Sequence, residues 1–115
     1  VIVCGGRGFS NKAMLERALD HLHAKHNFSL VIHGAYRGAD TLAGSWAASR
    51  HIEVLPVPAQ WKLQGKRAGP IRNAEMLTKD PELVIAFPGN AGTEDMIDQA
   101  EAAGVKVIRV VRGKD

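Results

Sequence analysis

The chain has 115 residues, a formal net charge of +3, 45% hydrophobic and 23% charged residues, which are the proportions of one ordinary globular domain. A single cysteine, Cys4, excludes an intramolecular disulfide framework and fits a reducing cytoplasm. No apolar run approaches the roughly 20 residues of a membrane helix, and no secretory signal is visible.

Val1–Cys4 reads as a buried strand, closed by Gly5-Gly6-Arg7-Gly8; a chain that opens inside a strand implies that residues precede Val1. Residues 11–25 carry Met14, Leu15, Ala18, Leu19 and Leu22 at helical spacing, with Ser10 or Asn11 as N-cap. Phe28–His33 is a second strand, and Ala39–Arg50 a second helix with Leu42, Ala43, Trp46 and Ala47 on one face. Ile52–Pro56 is a third strand, followed by a long irregular stretch, Val57–Gly69. Pro70 suits the first turn of a short helix reaching Leu77. Leu83–Phe87 is a fourth strand, Gly92–Ala103 a helix with Gly104 as its C-cap, and Lys106–Val110 a fifth strand.

Five short strands alternating with helices predict an α/β fold, a single doubly wound Rossmann-like domain over residues 1–115 with a five-stranded parallel sheet. Ligands of such sheets sit outside the carboxyl ends of the strands. Three glycine-rich turns are therefore expected at one edge: Gly5–Gly8, Gly34–Asp40 and Pro88–Thr93. In the last, Gly89 and Gly92 allow positive φ and close approach, and Thr93 adds a hydroxyl, a combination suited to phosphate at a helix N-terminus. As a plain connection, the same turn would use Thr93 as N-cap. In the second turn Arg37 can grip a phosphate and Asp40 a ribose hydroxyl, unless the two simply pair with each other.

The order and spacing of Gly5-Gly6-Arg7-x-Phe9, His33-Gly34-x-x-Arg37-Gly38-Ala39-Asp40, Ala59-x-Trp61-Lys62, Gly65-Lys66-x-Ala68-Gly69-Pro70-x-Arg72-Asn73-x-x-Met76 and Ala86-Phe87-Pro88-Gly89-x-x-Gly92-Thr93 resemble the SLOG superfamily of Rossmann-like proteins, within it the small YspA-type, cpYpsA-related group. The superfamily joins DprA-type single-strand DNA binders to LOG-type nucleotide phosphoribohydrolases. The resemblance implies a pocket for a nucleotide or nucleotide-derived ligand, bound by Gly5, Gly6, Arg7, Gly34, Arg37, Gly38, Asp40, Lys66, Arg72, Asn73, Pro88, Gly89, Gly92 and Thr93, with no cofactor. It also implies a homo-oligomer. LOG-type enzymes carry an arginine in an Arg-x-x-x-Met pattern, matched here by Arg72 and Met76. Their turn ends in a catalytic glutamate whose position is occupied by Met96, a thioether that cannot carry a proton. Catalysis would then fall to Arg72 with Glu94 or Asp95, so that binding or sensing is the leading expectation, N-glycosidic hydrolysis the alternative, and DprA-like binding of single-stranded nucleic acid a second.

Lys62, Lys66, Arg67 and Arg72 form an acid-free basic stretch that serves either an anionic ligand or nucleic acid. Trp61 is expected to anchor this loop to the core rather than to stack on a base. His33 ends a strand at the ligand edge, His21, His23, His26 and His51 read as surface, and no pair has metal-ligand spacing. Cys4 reads as a small buried hydrophobe. Neither a serine triad nor a P-loop ending is present.

Overall fold

The computed structural model describes residues 1–111. Five strands, β1 (Ile2–Cys4), β2 (Leu30–His33), β3 (Glu53–Pro56), β4 (Leu83–Ala86) and β5 (Lys106–Arg109), form one sheet in the order β3-β2-β1-β4-β5. Every pairing is parallel, with Ile2 opposite Ile32 and Val84, and Ile85 opposite Ile108. The helices are α1 (Lys12–His26), α2 (Ala39–Ser49), α3 (Trp61–Gln64), α4 (Ala68–Leu77) and α5 (Ala91–Ala102), with a 3-10 turn over Gly65–Arg67. The chain thus has the α/β, Rossmann-like single-sheet architecture expected of it.

Alternation along the central strands supplies both faces with apolar side chains. Val3, Val31, Leu83 and Ile85 pack with Leu15 and Leu19 of α1 and with Ala43, Trp46 and Ala47 of α2. On the opposite face Ile2, Cys4, Ile32, Val84 and Ala86 pack with Met76 of α4 and with Met96, Ile97 and Ala100 of α5. Trp46 is fully buried yet satisfied, its indole N–H donating to Asp20 Oδ1 at 2.8 Å, and Asp20 also takes Arg50 at 2.8 Å.

Of the two N-caps read for α1, Asn11 is the one used, its side chain accepting from Met14 N at 3.0 Å. Several other local expectations are corrected. Asn90 rather than Thr93 holds the N-cap position of α5. Val57–Gly69 is not irregular throughout, because α3 and the 3-10 turn occupy its second half. A four-residue helix is too short to show a 3.6-residue period, which hid it in the sequence. Pro70 is the third residue of α4, still inside the turn whose N–H groups lack helical acceptors. His23 is half-buried, its Nδ1 accepting from Phe28 N at 3.0 Å and its ring edge-on to Trp46.

Candidate functional site

The strand order reverses at β1, which has β2 on one side and β4 on the other, and this switch point is where an open parallel sheet leaves a crevice. The loops that leave β1, β2 and β4 are bound to one another there through main-chain atoms. Gly6 N donates to Pro88 O at 2.9 Å, while Gly6 O accepts from Ala39 N at 3.2 Å and from Phe9 N at 3.1 Å. Gly38 adopts φ +87, and a Cβ on it would strike Gly6 O and the backbone of Arg7. Gly6, Gly38, Pro88 and Gly89 therefore build the frame behind the site.

In front of this frame lies a cavity of about 350 Å3, within the range of small-molecule sites. Eight of the sequence-derived candidates line it: Gly5, Arg7, Gly34, Asp40, Arg72, Asn73, Gly92 and Thr93. Cys4, Tyr36, Trp61, Met76 and Asn90 complete the wall.

Arg72 reaches the cavity from α4 and is fixed there by a chain of polar contacts. Its Nη1 donates to Gly34 O, its Nε to Asn73 Oδ1 at 3.0 Å, and Asn73 Nδ2 in turn donates to Asp95 Oδ2 at 2.9 Å and Gly92 O at 3.2 Å. Gln99 Nε2 closes the chain by donating to Asp95 Oδ2 at 2.8 Å and Pro70 O at 3.0 Å. Glycine at position 34 makes room for this contact, because a Cβ there would overlap the Arg72 guanidinium and lie 2.9 Å from Asp40 Oδ2, displacing the arginine. Nη2 of Arg72 has no hydrogen bond among the described residues and is available to a ligand.

Asp40 lies in the first turn of α2, is only 7% exposed, and accepts from Tyr36 N at 3.2 Å. Burial pushes its carboxyl up to about 6, although the Tyr36 N–H and the Arg72 guanidinium pull the other way. Burial likewise pushes the Cys4 thiol up to about 12, so Cys4 is an uncharged wall of the cavity rather than a nucleophile.

At the far side the first turn of α5 presents main chain. Glu94 N bonds Asn90 O, whereas the N–H groups of Gly92 and Thr93 meet no acceptor among the described residues, and Asn90 makes no side-chain cap bond. Asn90, Gly92 and Thr93, at the positive end of α5, line the cavity. Neither Gly89 nor Gly92 has positive φ, contrary to expectation. Gly89 is required instead by close approach, since a Cβ there would overlap Thr93 Oγ1 and Gly6 N, while nothing lies within 4 Å at Gly92.

Other candidates lie elsewhere. Arg37 is exposed, lines a shallower outer groove with Pro58 and Ala59, and does not pair with Asp40. Lys66 is exposed in the 3-10 turn, outside the cavity wall. Glu94 turns outward to an exposed ion pair with Arg109 at 3.0 Å, and Asp95 is held behind Asn73. Met96 is fully buried against the sheet. His33 faces α2 rather than the cavity: its Nδ1 accepts from Ala35 N at 2.9 Å and its Nε2 lies beside Gly44. Burial, aided by Arg72, lowers the His33 pKa. Cys4, Tyr36 and Asn90 were missed as wall residues although each sits in or beside a glycine turn. Trp61 was misread as a core anchor, for it is 47% exposed.

Residues 1–63, more than half of the chain, match the model of the YspA, cpYpsA-related SLOG family, and the chain belongs to that family. A nucleotide-related function in general follows from that membership. Over 116 aligned residues, 94% of this chain and 93% of its counterpart, it is 34% identical to the Gene 61 protein of Mycobacterium phage D29. No solved structure matches it.

Proposed function

We propose that the protein binds or senses a nucleotide or nucleotide-derived ligand in the cavity at the switch point. The observation that carries this reading is the meeting of three unlike recognition elements on one small cavity. These are the unpaired amides of the α5 N-terminus, the fixed guanidinium of Arg72 and the buried carboxyl of Asp40. Phosphate suits the first two, and a ribose hydroxyl suits the third. The cavity volume matches one small ligand rather than a polymer, and the exposed cations Lys62, Lys66 and Arg67 stand outside it.

Binding is favoured over turnover because the carboxylates proposed for hydrolysis, Glu94 and Asp95, do not line the cavity. The test is thermal unfolding against a panel of nucleoside mono- and diphosphates and ADP-ribose at millimolar concentration. A ligand at 100 times its Kd adds about 2.7 kcal/mol, a rise of roughly 10 °C for a domain of this size. Arg72→Ala, confirmed folded by circular dichroism, should lose most of that rise. A panel without any response would refute the proposal.

A further inference from the structure

Trp61 is the feature this reading leaves unused. It opens α3, and neither α3 nor the following 3-10 turn contributes a buried residue, so the indole is not the core anchor that would explain it. Nearly half exposed, it lines both the cavity and the outer groove. Leaving that much apolar area in water forgoes burial that would stabilise the fold. Yet its place is defined on two sides. A Cβ at Gly69 would come within 3.4 Å of Trp61 Cη2, and the Tyr36 ring stands perpendicular to the indole with centroids 6.2 Å apart.

Tyr36 is itself held on all sides. Its N–H donates to Asp40 Oδ2 at 3.2 Å, its carbonyl accepts from Thr41 Oγ1 at 2.8 Å, and its hydroxyl accepts from Arg7 Nη1 at 3.2 Å. The Arg7 guanidinium also lies 5.9 Å from the ring centroid. The two rings thus make a right-angled aromatic corner on the wall that α5 does not supply. A planar heterocycle laid on one wall is offset-stacked there and meets the other edge-on, the two arrangements aromatic pairs prefer.

We infer that the corner of Trp61 and Tyr36 is a nucleobase subsite, with Trp61 the stacking surface that selects a base-bearing ligand over a bare sugar phosphate. The inference rests on the nucleotide reading above and gives the ligand a direction. Phosphate lies at Gly92 and Thr93, the sugar beside Asp40, and the base at the mouth against α3. Trp61 contributes nothing to phosphate affinity in this arrangement.

Isothermal titration separates the two readings. AMP, GMP, CMP, UMP and ribose 5-phosphate are each titrated into wild type, Trp61→Ala and Trp61→Phe, all checked for unchanged unfolding temperature. Base–aromatic stacking corresponds to about 5- to 150-fold in affinity. Wild type should therefore bind at least one of the four nucleotides that much more tightly than ribose 5-phosphate. Trp61→Ala should abolish the preference while leaving the ribose 5-phosphate Kd in place, and Trp61→Phe should retain most of it. Equal affinity of wild type for nucleotide and sugar phosphate would overturn the subsite and leave the phosphate reading standing. A preference that survives in Trp61→Ala, or a loss equal for both probes, would also overturn it. Failure of all five probes to bind would overturn the subsite, and the nucleotide reading falls with it when the thermal panel of diphosphates and ADP-ribose is silent too.

Discussion

Asp40→Asn isolates the one buried carboxyl on the cavity wall. In the folded protein burial raises its pKa to about 6, from an ordinary value of 3.8 in the unfolded chain. The folded state therefore holds this proton more tightly. The stability it contributes is fully present below pH 3.8 and disappears as pH rises through 6. Between pH 8 and pH 4.5 the two binding polynomials differ by about 2 kcal/mol, equivalent to roughly 8 °C in unfolding temperature for a chain of this length. His33 titrates in the opposite sense, because its folded pKa is lowered and acid must charge a buried ring. Wild type and variant share that contribution, so the difference between their curves reports Asp40. The assay is urea unfolding of both proteins at half-unit steps from pH 4.5 to pH 8. Wild-type stability relative to Asp40→Asn should rise by about 2 kcal/mol towards acid, starting near pH 6 and reaching half of that rise at about pH 5.3. Parallel curves, or a difference that grows towards alkali, would refute the account of Asp40 as a desolvated carboxyl.

Two further substitutions probe the frame and the missing acid. Gly34→Ala places a methyl group against the Arg72 guanidinium and Asp40, so Arg72 must leave the Gly34 carbonyl. The variant should fold with about 1–3 kcal/mol lost and should give little nucleotide-dependent rise in unfolding temperature, whereas a full rise would show that the arginine's anchorage is dispensable. Met96→Glu introduces the residue type of the LOG-type motif but puts a carboxyl at a fully buried core position. It should cost about 3 kcal/mol or more and release no free base from nucleoside monophosphates by chromatography; wild-type stability or new hydrolysis would show that position 96 reaches the cavity.

The sheet was legible because its central strands are runs of apolar, mostly β-branched residues such as Val1–Val3 and Leu83–Ile85, buried on both faces. The meeting of the three turns was legible for a topological reason, since a parallel sheet puts every strand's carboxyl end on one edge. Side-chain direction was not. Arg37 and Arg72 are equally plausible on paper, but the exposed Arg37 stands in the outer groove while Arg72 is drawn in by a carbonyl 38 residues away. Glu94 belongs to the right turn and still faces outward, because its partner Arg109 comes from β5, an element the local motif does not contain. Trp61 was misread because an aromatic in a polar stretch looks the same in sequence whether it packs inward or waits at a surface.

Gly6 joins the three loops through its own N–H and C=O, with no side chain taking part. The contour of this cleft is consequently written in peptide groups, and the positions that guard it are the glycines that let those groups meet, Gly38 and Gly89. Such a construction separates heritable shape from heritable chemistry. A chain can carry a thioether at position 96 in place of an acid and keep the same crevice at the same place. The difference between the LOG-type turn that the sequence resembles and the turn of this chain needs no change of architecture, only a change in which side chains look into a fixed opening.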